Sequence, residues 1–181
     1  MNLAYQFATG GADGAVKLPG SLHVNRKLSQ WLRFDRAGFV EAYTGKVELG
    51  QGISTALAQI VADELDVDLS QVRLRPASTG SSPDEAITSG SLSIQESGLA
   101  LRHACAEARA IYLHAAAHEL DLPVAMLQVR GGVIRSGNRE VTYWELIDDA
   151  WLEREATGAV PTKRADAMQV IGRSVARFDL P

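Results

Sequence analysis

A chain of 181 residues, 46% hydrophobic and 22% charged, holds enough apolar material for one core or two small lobes. Its net charge of −4, with the cations scattered, argues against a nucleic-acid surface, and no apolar run approaches the roughly 20 residues of a membrane span. Cys105 is the only cysteine, which excludes an internal disulfide, a cysteine-based zinc site and an iron–sulfur cluster held within the chain.

The first stretch, to about Leu28, is glycine-rich with few paired apolar positions. It reads as a flexible N-terminal arm over residues 1–28. It lacks the basic-then-apolar order of a secretory signal, so a cytoplasmic location is the default expectation. "QWLRFD" and "FVEAYTGKVEL" are separated by the turn-like Asp35-Arg36-Ala37-Gly38 and predict a β-hairpin whose second strand runs into Gly50. From Ile53 the period changes: Ile53, Leu57, Ile60, Val61 and Leu65 recur at helical spacing. A strand follows from about Val72 to Pro76, and then a long polar segment, "STGSSPDEAITSGSLS". Loops of that length in a compact domain are usually functional or disordered. It leads into the longest predicted helix, roughly Ile94 to Leu120, where Gly98, Ala104, Ala108 and Ala115 suggest close packing. "MLQVR" and "VIRS" around Gly131-Gly132 predict a second hairpin. "REVTYWELIDD" predicts a short strand and then a helix, with Thr142 as N-cap and Glu145 completing a capping box. The tail, residues 156–181, carries scattered apolar residues and reads as a linker toward a further domain. The sum is an α+β chain: antiparallel hairpins and a mixed sheet packed against two main helices, centred on residues 29–155.

Three segments could carry chemistry. In "ELGQG" two glycines flank an amide at the entrance of the first helix. A helix N-terminus offers backbone N–H groups and partial positive charge, and Gly50 and Gly52 let an anion or polar ring come close. Gln51 adds a side chain that both donates and accepts. The alternative is a glycine turn needed only for strand–helix packing. In "TSGSLS", Gly90, Ser91 and Ser93 stand before the second helix, either as a second anion-binding entrance or as plain helix caps. In "SSPDEA" the adjacent Asp84 and Glu85 diverge in an extended chain and read as solvated acids, not a carboxylate pair. His114 and His118 have the i, i+4 spacing of a helical metal pair, but nothing nearby completes a site, so a plain helix surface is expected. No nucleophile–base pair is visible. If the two entrances converge, they make a pocket for a polyanionic, heterocyclic ligand.

"TGKVELGQGISTALAQIVADELDVDLSQVRL" followed by "TSGSLSIQESGLALRHACAEARA" resembles the molybdenum-cofactor-binding large subunit of the xanthine dehydrogenase/aldehyde oxidase family, in its isoquinoline 1-oxidoreductase and nicotinate dehydrogenase branch. "LPGSL…WLRFD", "VTYWELI" and "QVIGRSVARFDLP" extend the resemblance over nearly the whole chain from Leu18. The resemblance implies that Gly50, Gln51 and Gly52 line the pterin and phosphate end of the cofactor, and that Gly90, Ser91 and Ser93 surround its dithiolene–molybdenum region and phosphate. Two departures concern loop contacts: Ser78 stands where an acidic residue is usual before Thr79, and Asp84 where the family has Asn. The resemblance further implies oxidative hydroxylation of aldehydes or N-heterocycles. It implies a molybdopterin cofactor in its cytosine dinucleotide form, and iron–sulfur clusters on a partner. The family's Gly-x-Gly-Glu segment, which carries the catalytic base, has no match here, so no catalytic residue and no metal ligand is expected on this chain. The expected partners are the remainder of the subunit and an iron–sulfur subunit, and the chain alone should be inactive. A non-enzymatic assembly module, keeping the fold without cofactor and self-associating through exposed apolar patches, is the other reading.

Overall fold

The computed structural model describes residues 16–180. Of the expected N-terminal arm, residues 1–15 fall outside these. Residues 16–28 lie against the core, with Leu18, Leu22 and Leu28 buried. Lys27 bridges Glu155, and Leu28 N–H donates to the Arg154 carbonyl at 3.0 Å.

β1 (Leu32–Asp35) and β2 (Phe39–Tyr43) form the expected antiparallel hairpin, with Leu32 pairing Ala42. Leu32 and Phe34 point into the core and Arg33 outward, the two-residue alternation of a half-buried strand. β2 stops at Tyr43 and does not run into Gly50. The amides beyond it bond to side chains instead: Gly45 N–H to Glu85, Lys46 N–H to Thr44, Val47 N–H to Thr88. The ladder therefore cannot continue.

Helix α1 (Ile53–Leu65) is the crossover between β2 and β3 (Val72–Arg75), which pair in parallel, Val40 opposite Val72. Parallel neighbours require such a crossover. Together β1-β2-β3 make the mixed sheet. The long helix begins as one π-helical turn, Ile94–Gly98, and continues as α2 (Leu99–Glu119). Three of its four small residues pack closely as expected: a Cβ built on Gly98 would stand 3.2 Å from the Ile60 side chain of α1, and Ala104 and Ala108 are fully buried, while Ala115 is half-buried. Phe34, Tyr112, Tyr143 and Trp151 close the core beside them, with Phe34 and Tyr112 ring centroids 4.4 Å apart. Burial demands that the polar ends find partners. Trp31 Nε1 donates to the Asn25 carbonyl at 2.8 Å and the Tyr143 hydroxyl to the Leu65 carbonyl at 3.0 Å.

A second, antiparallel sheet holds β4 (Gln128–Arg130), β5 (Val133–Ser136) and β6 (Arg139–Thr142). The capping box after β6 forms, with Thr142 N–H donating to Glu145 at 2.8 Å and Glu145 N–H to Thr142 at 3.2 Å. The helix it was expected to open does not; a turn leads to a single 3-10 turn, Asp149–Trp151. A nucleated turn propagates only if the next residues gain by it. Here Tyr143 is buried and Trp144 and Trp151 are drawn toward Phe34 and Tyr112 respectively.

The segment from Thr157 to Leu180, expected as a linker, lies along both helices. Asp63 of α1, almost fully buried, accepts the backbone N–H groups of Gln169, Val170 and Ile171 at 2.6, 3.0 and 2.6 Å. Glu107 of α2 accepts those of Thr157 and Gly158. Lys163 reaches the Asp66 carboxylate, which also takes Arg109 at 2.8 Å. Among the described residues no helix is long and apolar enough to cross a membrane.

Candidate functional site

The link between β2 and α1, residues 44–52, carries the first motif, and its shape comes from one carboxylate. Glu48 accepts the N–H groups of Gly50 (2.9 Å), Gly52 (2.8 Å) and Ser54 (3.0 Å). Partial burial pushes the Glu48 carboxyl up, but the N–H groups of Ser54 and Gly52 outweigh that and hold it below its ordinary value. The N-terminus of α1 is therefore satisfied from within by an acid of the motif. The free anion-binding entrance expected at Gly50 and Gly52 is replaced by this internal cap. Gln51 uses both faculties of its amide on the same loop, donating from Nε2 to the Val47 carbonyl at 2.9 Å and accepting Leu49 N–H on Oε1. Gly50 and Gly52 have φ of +92° and +77°, a region where an L side chain is strained. Apart from its chain neighbours, a Cβ on Gly50 would meet no atom of the described residues within 4 Å. Its Cα side is therefore the open one, while its N–H goes to Glu48 and its carbonyl to Arg177.

The second motif lies beside the first. Thr88 Oγ1 accepts Val47 N–H at 2.8 Å, and Lys46 Nζ donates to the carbonyls of Glu85 (2.7 Å) and Ile87 (3.2 Å). The two loops are thus pinned through residues 46–47 and 87–88. Gly90 and Ser91 are exposed with φ of +63° and +59°, and Ser93 is half-buried. Ser93 stands at the N-cap of the π-helical turn without a side-chain capping bond, so plain capping does not explain it. Among the described residues beyond its chain neighbours, a Cβ on Gly90 would meet only the Leu92 side chain, at 3.6 Å.

Glu85 is the residue that sequence reasoning misplaced. It is 6% exposed, not a solvated acid. Its Oε2 accepts Gly45 N–H at 2.7 Å and the Thr44 hydroxyl at 3.0 Å, and Thr44 in turn shares a 2.7 Å hydrogen bond with Ser97 of the π-helical turn. Asn25 clamps the adjoining backbone from both sides, donating to the Asp84 carbonyl at 2.8 Å and accepting Asp84 N–H at 3.1 Å. Asp84 itself is exposed, as expected. Lys46, Thr44, Ser97 and Asn25 were also not singled out from the sequence. Their partners come from distant segments, and no local pattern marks them.

Two cavities flank Val47. One of about 350 Å³ is bounded by Lys46, Glu48, Ser54, Arg75, Phe178 and Asp179; the other, about 490 Å³, by Gly45, Ser78, Thr79, Ser82 and Asp84. Both sit low in the ~300–1,000 Å³ range of enclosing ligand pockets. What the chain offers is a wall: backbone at Gly50 and Gly90 that a ligand can touch, an exposed Ser91 hydroxyl, and apolar Leu49 and Ile87, 71% and 73% exposed, beside them. This fits a large heterocyclic ligand by close approach, not by a helix dipole. Among the described residues no group of His, Cys, Asp and Glu could hold a metal ion, and Cys105 is a buried thiol whose pKa burial raises.

Over residues 8–175 the sequence matches the molybdopterin cofactor-binding domain family, and the chain belongs to it. It is 36% identical over 157 residues to a subunit of nicotinate dehydrogenase from Pseudomonas putida, covering 86% of this chain and 13% of that protein. It is 28% identical over 210 residues to a subunit of isoquinoline 1-oxidoreductase from Brevundimonas diminuta, covering 93% of this chain and 27% of that one. The Cu,Mo-CO dehydrogenase structure in its carbon monoxide reduced state superposes with a TM-score of 0.56 at 29% identity, over 64% of this chain and 15% of that chain. The chain thus spans well under a third of the length of each protein it matches here. The α+β class and the molybdopterin reading made from the sequence both stand.

Proposed function

We propose that this chain forms one wall of the molybdenum-cofactor site in a molybdenum hydroxylase that oxidises aldehydes or N-heterocycles with oxygen drawn from water. The observation that supports the reading is the pinning of the two glycine-bearing loops to each other by the Val47–Thr88 hydrogen bond, three residues before Gly50 and two before Gly90. When bound, the cofactor supplies the two-electron redox chemistry. The chain's own part is to hold and orient it. Gly50, Gln51 and Gly52 face its pterin and phosphate end, and Gly90, Ser91 and Ser93 face the dithiolene side. The cytosine dinucleotide form of the cofactor belongs to this reading, as do electron transfer to iron–sulfur clusters on a partner and completion of the pocket by the remainder of the subunit. The exposed Leu49 and Ile87 support a second wall, since apolar side chains at a site rim are covered in the working assembly.

The test is the molybdenum and pterin content of the chain purified from a molybdenum-replete host, alone and co-expressed with the remainder of the subunit. The proposal expects cofactor only in the assembled form, and no dehydrogenase turnover from the chain alone. Absence of cofactor from the assembled form would contradict it.

A further inference from the structure

The Gly50–Gly52 loop is held from two sides. Glu48 binds its N–H groups. Its outward carbonyl, Gly50 O, accepts a hydrogen bond from Arg177 Nη2 at 2.9 Å, from a residue 127 positions along the chain. The guanidinium also lies against Gly52: its Cζ and Nε would stand 3.6 Å from a Cβ built there. Arg177 is oriented in turn. Its Nε donates to Asp179 Oδ1 at 3.0 Å, and its Nη2 to the other carboxylate oxygen. Phe178 N–H donates to the buried Thr55 Oγ1, in the first turn of α1, at 2.8 Å.

The tail upstream of these contacts is anchored separately. Asp63 already takes three of its N–H groups, and Gln59 Nε2 donates to the Val170 and Arg173 carbonyls at 3.0 and 3.2 Å. The upstream tail therefore arrives in fixed register, and the hydrogen bonds of Arg177 go to the motif loop and to the acid that aims it. A planar fork with several donors suits this double task, and a lysine would supply only a point charge.

We infer that Arg177 is a positioning residue for the Gly50–Gly52 loop, bracing it from outside in the shape the cofactor meets; the inference rests on that loop being a cofactor wall. The test compares wild type with Arg177→Ala and Arg177→Lys. Amide hydrogen exchange is read at Gly50, Gly52 and Ser54 and at residues 169–171, and pterin content is read after assembly with the remainder of the subunit. Arg177→Ala is expected to speed exchange at the loop roughly threefold to tenfold, the range one net hydrogen bond spans, while residues 169–171 keep their protection. Pterin retention falls with it, and Arg177→Lys recovers part of both. Unchanged loop exchange overturns the inference. So does loosening that spreads equally to residues 169–171, which marks general tail support, and so does faster loop exchange with full pterin retention. A wild-type assembly without pterin contradicts the proposed function instead, and the exchange comparison then decides the brace on its own.

Discussion

At the scale of single residues, Glu48 gives the motif its physical logic. An acid two residues before Gly50 folds back over three N–H groups, so the loop after β2 is ordered before any ligand arrives. Replacing it with Ala should destabilise the protein by about 1–2 kcal/mol, the usual cost of losing a helix cap, measurable by urea denaturation. The effect is pH-dependent. Because the folded carboxyl is held below its ordinary value, its contribution is complete above the ordinary glutamate range and lost as pH falls through the folded value. Wild type and Glu48→Ala should therefore converge in stability in acid and separate toward neutrality. A constant gap across that window would contradict the cap. Gly52 makes the complementary case: at φ +77° and under the Arg177 guanidinium, Gly52→Ala should cost about 1–2 kcal/mol by the same measurement. The loop shape around Gly50, Gln51 and Gly52 was legible in part, because two glycines around an amide mark a tight turn at the start of α1. Glu85 was not. Its burial depends on Thr44 and, through it, on Ser97, hydrogen-bonded across sequence separations of 41 and 53 residues.

At the scale of elements, periodicity read true where one face is buried. Ile53, Leu57, Ile60, Val61 and Leu65 are all buried, and α1 begins and ends where their spacing begins and ends. It misled after Thr142, where a correct cap was followed by Tyr143, Trp144 and Trp151, which gain more by joining one aromatic cluster with Phe34 and Tyr112 than by propagating a helix. The hydrogen bond from Tyr143 to the Leu65 carbonyl joins that turn to the end of α1. Burial pushes the Tyr143 hydroxyl far above its ordinary range, so it remains a donor at any working pH. Tyr143→Phe should lower stability by about 1 kcal/mol, the net worth of one hydrogen bond, with little change in fold. Asp63 matters more. Its carboxylate gathers three N–H groups of the tail, and Asp63→Ala should cost about 2 kcal/mol and open residues 163–180 to limited proteolysis. A tail that stays protected in that variant would show the anchoring lies elsewhere.

At the scale of the whole molecule, a strand end, a long polar loop and a returning tail bring three distant segments to one rim. β2 delivers the Gly50 loop, the polar stretch after β3 delivers the Gly90 turn, and the tail braces the first of these from outside. The rim is open, lined by backbone and flanked by exposed apolar side chains, which is the form expected of one half of a shared site. The chain spans only 13% of its nicotinate dehydrogenase relative, and the rest of that length is where a second wall would be sought. The most direct test of the central claim is the pterin content of the assembled protein carrying Gly50→Ala. Apart from its chain neighbours, no atom of the described residues lies within 4 Å of the added methyl group, so the fold should survive at a cost of about 1–2 kcal/mol from the positive φ alone. If the cofactor lies against Gly50, the folded variant should assemble yet lose most of its pterin. A folded, assembled Gly50→Ala protein with a full complement of pterin would contradict the account.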